Sequence, residues 1–158
     1  MDGQPKRMAI IASKGALDMA YPPLILASTA AALDYEVQVF FTFYGLTLLR
    51  KDLSDVKISP LANPAMPMPL PMPTLVAALP GMESMATMMM KQKLKKHGVA
   101  SLEELRTACL ESGVKLIACQ MTLDLFEFDK KDFIDGIEFG GAATFLEFAG
   151  KSDVTLFI

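Results

Sequence analysis

The amino-acid sequence predicts an α/β fold with a five-stranded parallel sheet. Short apolar runs of strand length recur along the chain, and segments whose apolar residues follow helical spacing separate them. Strands that alternate with helices are typical of parallel sheets, because each connection must cross back over the sheet. The chain of 158 residues is long enough to bury one core, so we expect a single domain over residues 1–158.

The first strand is predicted at Arg7–Ala12, a continuous apolar run of the kind that central parallel strands show. Residues 13–15 form the turn at its carboxyl end, and a helical pattern follows over Ala16–Leu33. The Pro22-Pro23 pair suits the first turn of a helix better than its interior. We therefore expect the helix proper to begin near Tyr21.

The second strand is predicted at Glu36–Thr42, and its aromatic residues Phe40 and Phe41 are expected in the core. Tyr44 lies beyond the carboxyl end of this strand, where aromatic side chains can reach over the end of the sheet. A short helix is predicted over Leu46–Lys51.

Residues 60–95 interrupt the alternation and form a proline- and methionine-rich insertion. Seven of the ten prolines and eight of the twelve methionines fall in or near this stretch. The alternating prolines of residues 67–73 lack backbone donors, so this part is predicted to be an extended, polyproline-II-like excursion. A helix is predicted to resume after Pro80-Gly81. So apolar an insertion is expected to pack on a partner subunit or to present a docking surface.

The second half of the chain returns to strands and helices. Ser101–Glu104 is a capping box that opens a helix to Ser112, and Gly113 suits the position after its end. The third strand is predicted to end at Cys119. The remaining elements are predicted in the order helix to Phe128, strand Gly136–Phe139, helix Ala142–Ala149 and strand Val154–Ile158.

Cys119 is the candidate catalytic residue, because it stands where a buried strand gives way to a helix. Ligands and reacting groups collect at the carboxyl ends of parallel strands. Backbone N–H groups at the start of a helix favour the thiolate and lower the thiol pKa from about 8.5, although Asp124 opposes this if its carboxylate points at the sulfur. Position alone also allows a buried cysteine without function.

Other chemistries fit the sequence poorly. The two cysteines do not form a Cys-x-x-Cys motif or a disulfide framework, and Cys109 falls on the buried stripe of its helix. The single histidine, His97, is expected to cap a helix, which leaves no convincing zinc site. No metal or organic cofactor is expected. The net charge of −3 and one short lysine cluster, Lys91–Lys96, do not indicate a nucleic-acid partner.

Turns near the predicted carboxyl edge, Gly140-Gly141 among them, offer N–H groups to an anionic substrate such as a hydropersulfide. Lys14 and Gly15 lie in the turn after the first strand, and Tyr44 follows the second strand. Gln120 and Met121 begin the helix after the cysteine. These five residues are the candidate substrate-binding residues, although none of the turns has the glycine spacing of a P-loop or a dinucleotide fingerprint.

Several stretches of the chain resemble the DsrE/DsrF/TusD-like sulfur-transfer superfamily, in particular its stand-alone DsrE-like branch. They follow one another in order along nearly the whole chain and are residues 8–15, 27–33, 39–46, 117–124 and 140–145. The resemblance implies a three-layer α/β/α fold and a homo-oligomer, which is a trimer, a tetramer or a hexamer. It also implies that Cys119 carries persulfide sulfur between partner proteins such as rhodanese-like sulfurtransferases and TusA-like carriers.

The resemblance favours a cysteine-persulfide sulfur carrier over two other interpretations. One is an oligomeric interaction module without sulfur chemistry that docks through the insertion, and the other is a thiol peroxidase that uses Cys119. Some relatives have a membrane-associated segment at the insertion, which implies peripheral membrane contact through residues 60–95. The apolar runs are too short for an ordinary membrane span, and cysteine usage indicates a reducing, cytoplasmic setting.

Overall fold

A computed structural model describes residues 3–59 and 73–158 and shows one five-stranded sheet whose strands are all parallel. The order across the sheet is β4-β3-β2-β1-β5, so β1, β2 and β3 are interior strands. The strands are β1 (Arg7–Ala12), β2 (Glu36–Phe41), β3 (Lys115–Cys119), β4 (Glu138–Gly140) and β5 (Val154–Phe157). The helices are α1 (Leu17–Ala32), α2 (Thr74–Ala77), α3 (Met82–Lys96), α4 (Leu102–Glu111), α5 (Gln120–Leu125) and α6 (Ala142–Ala149), with 3₁₀ helices at Phe43–Leu49 and Lys130–Asp132. The predicted α/β class is confirmed.

Helices cover both faces of the sheet and make three layers. Successive residues of a strand point to opposite faces, so Val39 and Phe41 pack beneath α1 and α4, whereas Phe40 packs beneath α6. On β3 the same alternation places Cys119 on the face of α6, beside Phe145. The core is therefore two clusters separated by the sheet, and the candidate thiol belongs to the smaller one.

The first helix begins earlier than predicted. Helix α1 starts at Leu17 and contains the Pro22-Pro23 pair, rather than beginning near Tyr21. Its first turn is fixed by contacts with a distant segment: the Leu17 N–H donates to the Lys57 carbonyl at 2.7 Å, and the Asp18 carboxylate accepts from Ser59 N–H and Oγ at 2.7 Å each. These tertiary contacts outweigh the local preference of proline.

Three short elements also differ in their bounds. The helix predicted at Leu46–Lys51 is a 3₁₀ helix over Phe43–Leu49. The helix after the cysteine ends at Leu125 rather than Phe128, because Glu127 adopts a left-handed conformation (φ 54°) and the Phe128 N–H turns back to the Leu123 carbonyl. Strand β4 lies one to two residues later than predicted, at Glu138–Gly140.

Most of the described part of the insertion is helical. Helix α3 follows Gly81, as predicted, and it is fixed to the domain through Thr87, whose hydroxyl accepts the Ile58 N–H at 3.0 Å. Its outer side exposes Met85, Met88 and Met89. The polyproline-II prediction for residues 67–73 lies outside the described residues except for Pro73. Within the two described ranges, no helix is long and apolar enough to cross a membrane.

Candidate functional site

Cys119 ends β3 and is the residue from which α5 begins. The strand before it is apolar and buried, because β3 lies in the interior of the sheet between β2 and β4. The residue is only 3% exposed and packs with Phe40, Ile117 and Phe145. Its position at the carboxyl edge follows directly from the change of pattern in the sequence.

Two threonine hydroxyls lie beside the thiol. In the pairing of β2 with β3, Phe41 lies opposite Ala118. The residues that follow these two, Thr42 and Cys119, therefore lie side by side. Thr122, one turn into α5, is fully buried. Its Oγ1 accepts the Phe43 N–H at 3.1 Å and lies 3.3 Å from Thr42 Oγ1.

These groups determine the ionisation of the thiol. Burial by itself raises the pKa of Cys119, but hydrogen bonds from the Thr122 hydroxyl and N–H, the Thr42 hydroxyl and the Met121 N–H lower it by more, so the pKa lies below its ordinary value. No charged side chain contributes among the residues that the structure describes. The Asp124 carboxylate instead accepts a hydrogen bond from Gln120 Nε2 at 2.8 Å. The thiolate is therefore favoured by neutral donors.

An exposed apolar surface adjoins the thiol, and we call it the thiol collar. It consists of Phe43 (46% exposed), Tyr44 (66%), Met121 (61%) and Leu125 (59%). The two aromatic rings are held by Phe126, which meets Phe43 edge-on at 6.4 Å and stacks on Tyr44 at 6.1 Å between centroids. Exposed apolar groups gathered in one place are typical of contact surfaces.

The structure divides the five candidate substrate-binding residues between two places. Gln120 and Met121 lie at the thiol. Lys14, Gly15 and Tyr44 line a cleft of about 450 Å³ on the α1 side, and the described residues that form this cleft do not include Cys119. Tyr44 connects the two regions, since its backbone lies against Gly15 and its ring belongs to the collar.

The sequence reasoning missed Thr42 and Thr122. A signal was present, because both are polar residues that follow buried strands whose carboxyl ends meet at one edge of a parallel sheet. The sequence pattern predicted only backbone N–H groups as donors to the sulfur. The register between β2 and β3, which brings the two hydroxyls together, cannot be predicted from the sequence.

Cys109 is a core residue, as predicted. Its side chain is fully buried in the cluster between α1, α4 and the sheet, with Sγ 3.5 Å from the Leu24 carbonyl oxygen. Burial raises its pKa to about 11. The two cysteines are free thiols in clusters on opposite faces of the sheet, so their environments favour opposite ionisation states.

Comparison with known sequences finds relatives over the whole chain. The model of the DsrE/DsrF/DrsH-like family matches residues 4–157. The chain is 64% identical over 157 residues to the Allochromatium vinosum protein named sulfur carrier protein DsrE2, covering 97% of this chain and 98% of that one. It is 38% identical over 160 residues to the uncharacterized protein YrkE of Bacillus subtilis, covering 100% of both.

Solved structures support the fold. The protein of unknown function MTH1491 from Methanobacterium thermoautotrophicum superposes with a TM-score of 0.54 at 14% identity, and the ychN protein of E. coli with 0.55 at 12%. Each comparison covers 97% of this chain and 99% of the other. At these identities the likeness shows the fold alone, and the expected DsrE-like α/β architecture is confirmed.

Proposed function

The chain belongs to the DsrE/DsrF/DrsH-like family, and from this premise we propose that it is a sulfur carrier that holds sulfane sulfur on Cys119. The observation that carries the proposal is the thiol pocket, which Thr42, Met121 and Thr122 form around Cys119. Their hydroxyl and amide donors lower the thiol pKa. The relative named a sulfur carrier protein, 64% identical over nearly all of both chains, supports the same role. It also favours this role over that of an interaction module without sulfur chemistry.

The proposed reaction consists of two thiol exchanges. The Cys119 thiolate attacks the outer sulfur of a donor persulfide, forming a Cys119–S–SH group and releasing the donor as a thiolate that takes up a proton. An acceptor thiolate then attacks the same outer sulfur, and Cys119 leaves as thiolate. Each step makes one sulfur–sulfur bond and breaks one, so no net oxidation occurs and no metal or organic cofactor is required.

A lowered pKa favours both exchanges. The thiolate, rather than the thiol, is the attacking species, and a thiolate of lower pKa also leaves faster in the second exchange. The donors around the sulfur therefore suit a residue that must both accept and surrender sulfur. Cys109, with its pKa raised to about 11 and no exposed surface, suits neither step.

The thiol collar is proposed as the surface on which partner proteins dock. Because Cys119 is 3% exposed, a partner must present its cysteine on a protruding segment that passes between the collar side chains. Rhodanese-like sulfurtransferases as donors and TusA-like carriers as acceptors are the partners we propose. The aromatic rings of the collar supply apolar contact area at low entropic cost.

Mass spectrometry after incubation with a small-molecule persulfide tests the proposed function. The protein is expected to gain the mass of one sulfur atom, and peptide mapping under non-reducing conditions is expected to locate it on Cys119. Treatment with a reductant should remove it and restore the original mass. A protein that gains no sulfur, or gains it on Cys109, would contradict the proposal.

Substitutions in the collar separate docking from sulfur chemistry. We expect Leu125→Ser to slow sulfur transfer to a TusA-like acceptor about five- to thirty-fold, the range for losing one well-buried apolar contact of 1–2 kcal/mol. Loading from a small-molecule persulfide should be unchanged, because Leu125 lies outside the thiol pocket. Leu33→Ser is the matched control, since Leu33 is 66% exposed at the far end of α1. Equal effects of the two substitutions on transfer would exclude the collar as the docking surface.

Assembly and location are further parts of the proposal. A homo-oligomer is supported by apolar side chains away from the collar, where Ile25, Leu26 and Phe157 are 43%, 38% and 73% exposed. Two free thiols suit a reducing compartment, which we take to be the cytoplasm. The exposed methionines and terminal lysines of α3 suit peripheral membrane contact through residues 60–95.

A further inference from the structure

We infer that Thr122 is the positioning residue of the Cys119 sulfur, and that the Phe43 N–H strengthens the Thr122 hydroxyl as a donor to that sulfur. The inference rests on the proposed function, which it deepens by assigning a role to a residue outside the cysteine itself. It follows from the hydrogen-bond capacity of a single buried hydroxyl and from an unusual backbone conformation beside it.

The Thr122 hydroxyl has one hydrogen to donate and two lone pairs to accept with. One lone pair accepts the Phe43 N–H at 3.1 Å. Thr42 Oγ1 lies 3.3 Å from Thr122 Oγ1. The Cys119 sulfur belongs to the residue that caps the same helix, and the Thr122 hydroxyl lowers its pKa. Since the side chain is fully buried, bulk water does not compete for the hydroxyl hydrogen.

The ionisation of Cys119 decides between these two neighbours. A thiolate accepts hydrogen bonds but donates none, and hydrogen bonds to an ionised acceptor are stronger than neutral ones. In the ionised state of Cys119 the Thr122 hydrogen is therefore directed to the sulfur. Thr42 then donates either to the sulfur or to the second lone pair of Thr122 Oγ1. A hydroxyl that accepts a hydrogen bond becomes a stronger donor. The Phe43 N–H therefore makes the Thr122 hydroxyl a better donor than the Thr42 hydroxyl.

The backbone at Phe43 is held in a conformation that serves this contact. Phe43 has φ of 47°, a left-handed value that costs free energy for a bulky side chain and is concentrated at functional sites. The turn is fixed from its far side, where the Gly45 N–H donates to the Thr42 carbonyl at 3.0 Å and to the Ser13 carbonyl at 3.2 Å. A strained residue whose N–H points at the buried hydroxyl supports an orienting role.

The titratable side chains on the elements around the sulfur do not account for its ionisation. They are Glu36 in β2, Tyr44 in the 3₁₀ helix, Lys115 in β3, Asp124 in α5, Glu138 in β4 and Glu147 in α6. The Asp124 carboxylate accepts a hydrogen bond from Gln120. Glu138 Oε1 lies 3.7 Å from Lys115 Nζ, at the end of β3 opposite to Cys119. None of them contributes to the pKa shift of Cys119. The pH dependence of this thiol should therefore respond to the hydroxyls.

The test is the pH profile of Cys119 alkylation by iodoacetamide, followed by mass spectrometry of the peptide that contains it. We expect Thr122→Val to lower the rate at neutral pH about ten-fold, the effect of losing one hydrogen bond to an ionised group, and to shift the profile to higher pH. Thr122→Ser keeps the hydroxyl and should restore the wild-type profile. Thr42→Val should shift it less, because Thr42 lacks the orienting N–H.

The outcomes separate this inference from the proposed function, because alkylation requires no persulfide donor. An unshifted profile for Thr122→Val, or an equal shift for Thr42→Val, would overturn the inference even if wild-type protein loads sulfur. A shifted profile in a protein that never loads sulfur would leave the inference standing and contradict the proposed function. If Thr122→Val does not fold, as judged by circular dichroism, Thr122→Ala against Thr122→Ser gives the same comparison.

Discussion

Cys119→Ser is expected to abolish sulfur loading, because the proposed reaction has no other competent nucleophile. A serine hydroxyl fits the same pocket and can hydrogen-bond to Thr42 and Thr122, so the fold should be retained. Its oxygen, however, does not ionise near neutral pH and forms no stable bond to sulfane sulfur. The measurement is the intact mass after incubation with a small-molecule persulfide, and we expect no mass gain where the wild-type protein gains one sulfur.

The matched control for this substitution is Cys109→Ala. Cys109 is fully buried and its pKa is raised to about 11, so its removal should leave loading at the wild-type level and lower stability by roughly 1 kcal/mol through the small cavity it leaves. Sulfur that still appears on Cys119→Ser would show that Cys109 is the carrier. Loss of loading in Cys109→Ala alone would show that the two thiols act together.

The sequence predicted the fold because most residues of each interior strand are apolar. Runs such as Arg7–Ala12 and the residues leading to Cys119 are buried on both faces of the sheet, so they read as continuous apolar segments bounded by turns. Local sequence signals also predicted the two ends of helix α4. The capping box of Ser101 and Glu104 is present in the structure, and Gly113 has a left-handed φ of 79°.

Contacts between distant segments were the part that the sequence did not reveal. The start of α1 depends on Lys57 and Ser59, some forty residues away along the chain. The thiol pocket depends on the pairing of β2 with β3, which joins Thr42 to Thr122 across eighty residues. Local pattern identified the nucleophile, since it lies at a change of periodicity, but the groups that tune it come together only through the tertiary structure.

Gly45 marks another such contact, between the 3₁₀ helix and the end of β1. A Cβ at this position would lie 2.2 Å from the Ala12 carbonyl oxygen and 2.8 Å from the Ala12 carbonyl carbon. Both are backbone atoms of a central strand, so no side chain can turn aside to make room. The same Ala12 carbonyl accepts the Thr42 N–H at 3.1 Å, and an added methyl group would therefore displace the segment that carries Thr42 and Phe43.

Gly45→Ala is accordingly expected to lower the free energy of unfolding by about 3 kcal/mol, at the upper end of the usual effect of overpacking. Urea denaturation gives this value, and Gly141→Ala is the control. At Gly141 an added Cβ meets nothing within 4 Å and φ is −94°, so that change should cost less than about 1 kcal/mol. Because Thr42 and Phe43 move with Gly45, alkylation of Cys119 in folded Gly45→Ala should also slow at neutral pH. A variant as stable and as reactive as Gly141→Ala would show that the close approach of Gly45 to Ala12 positions neither the strand nor the thiol.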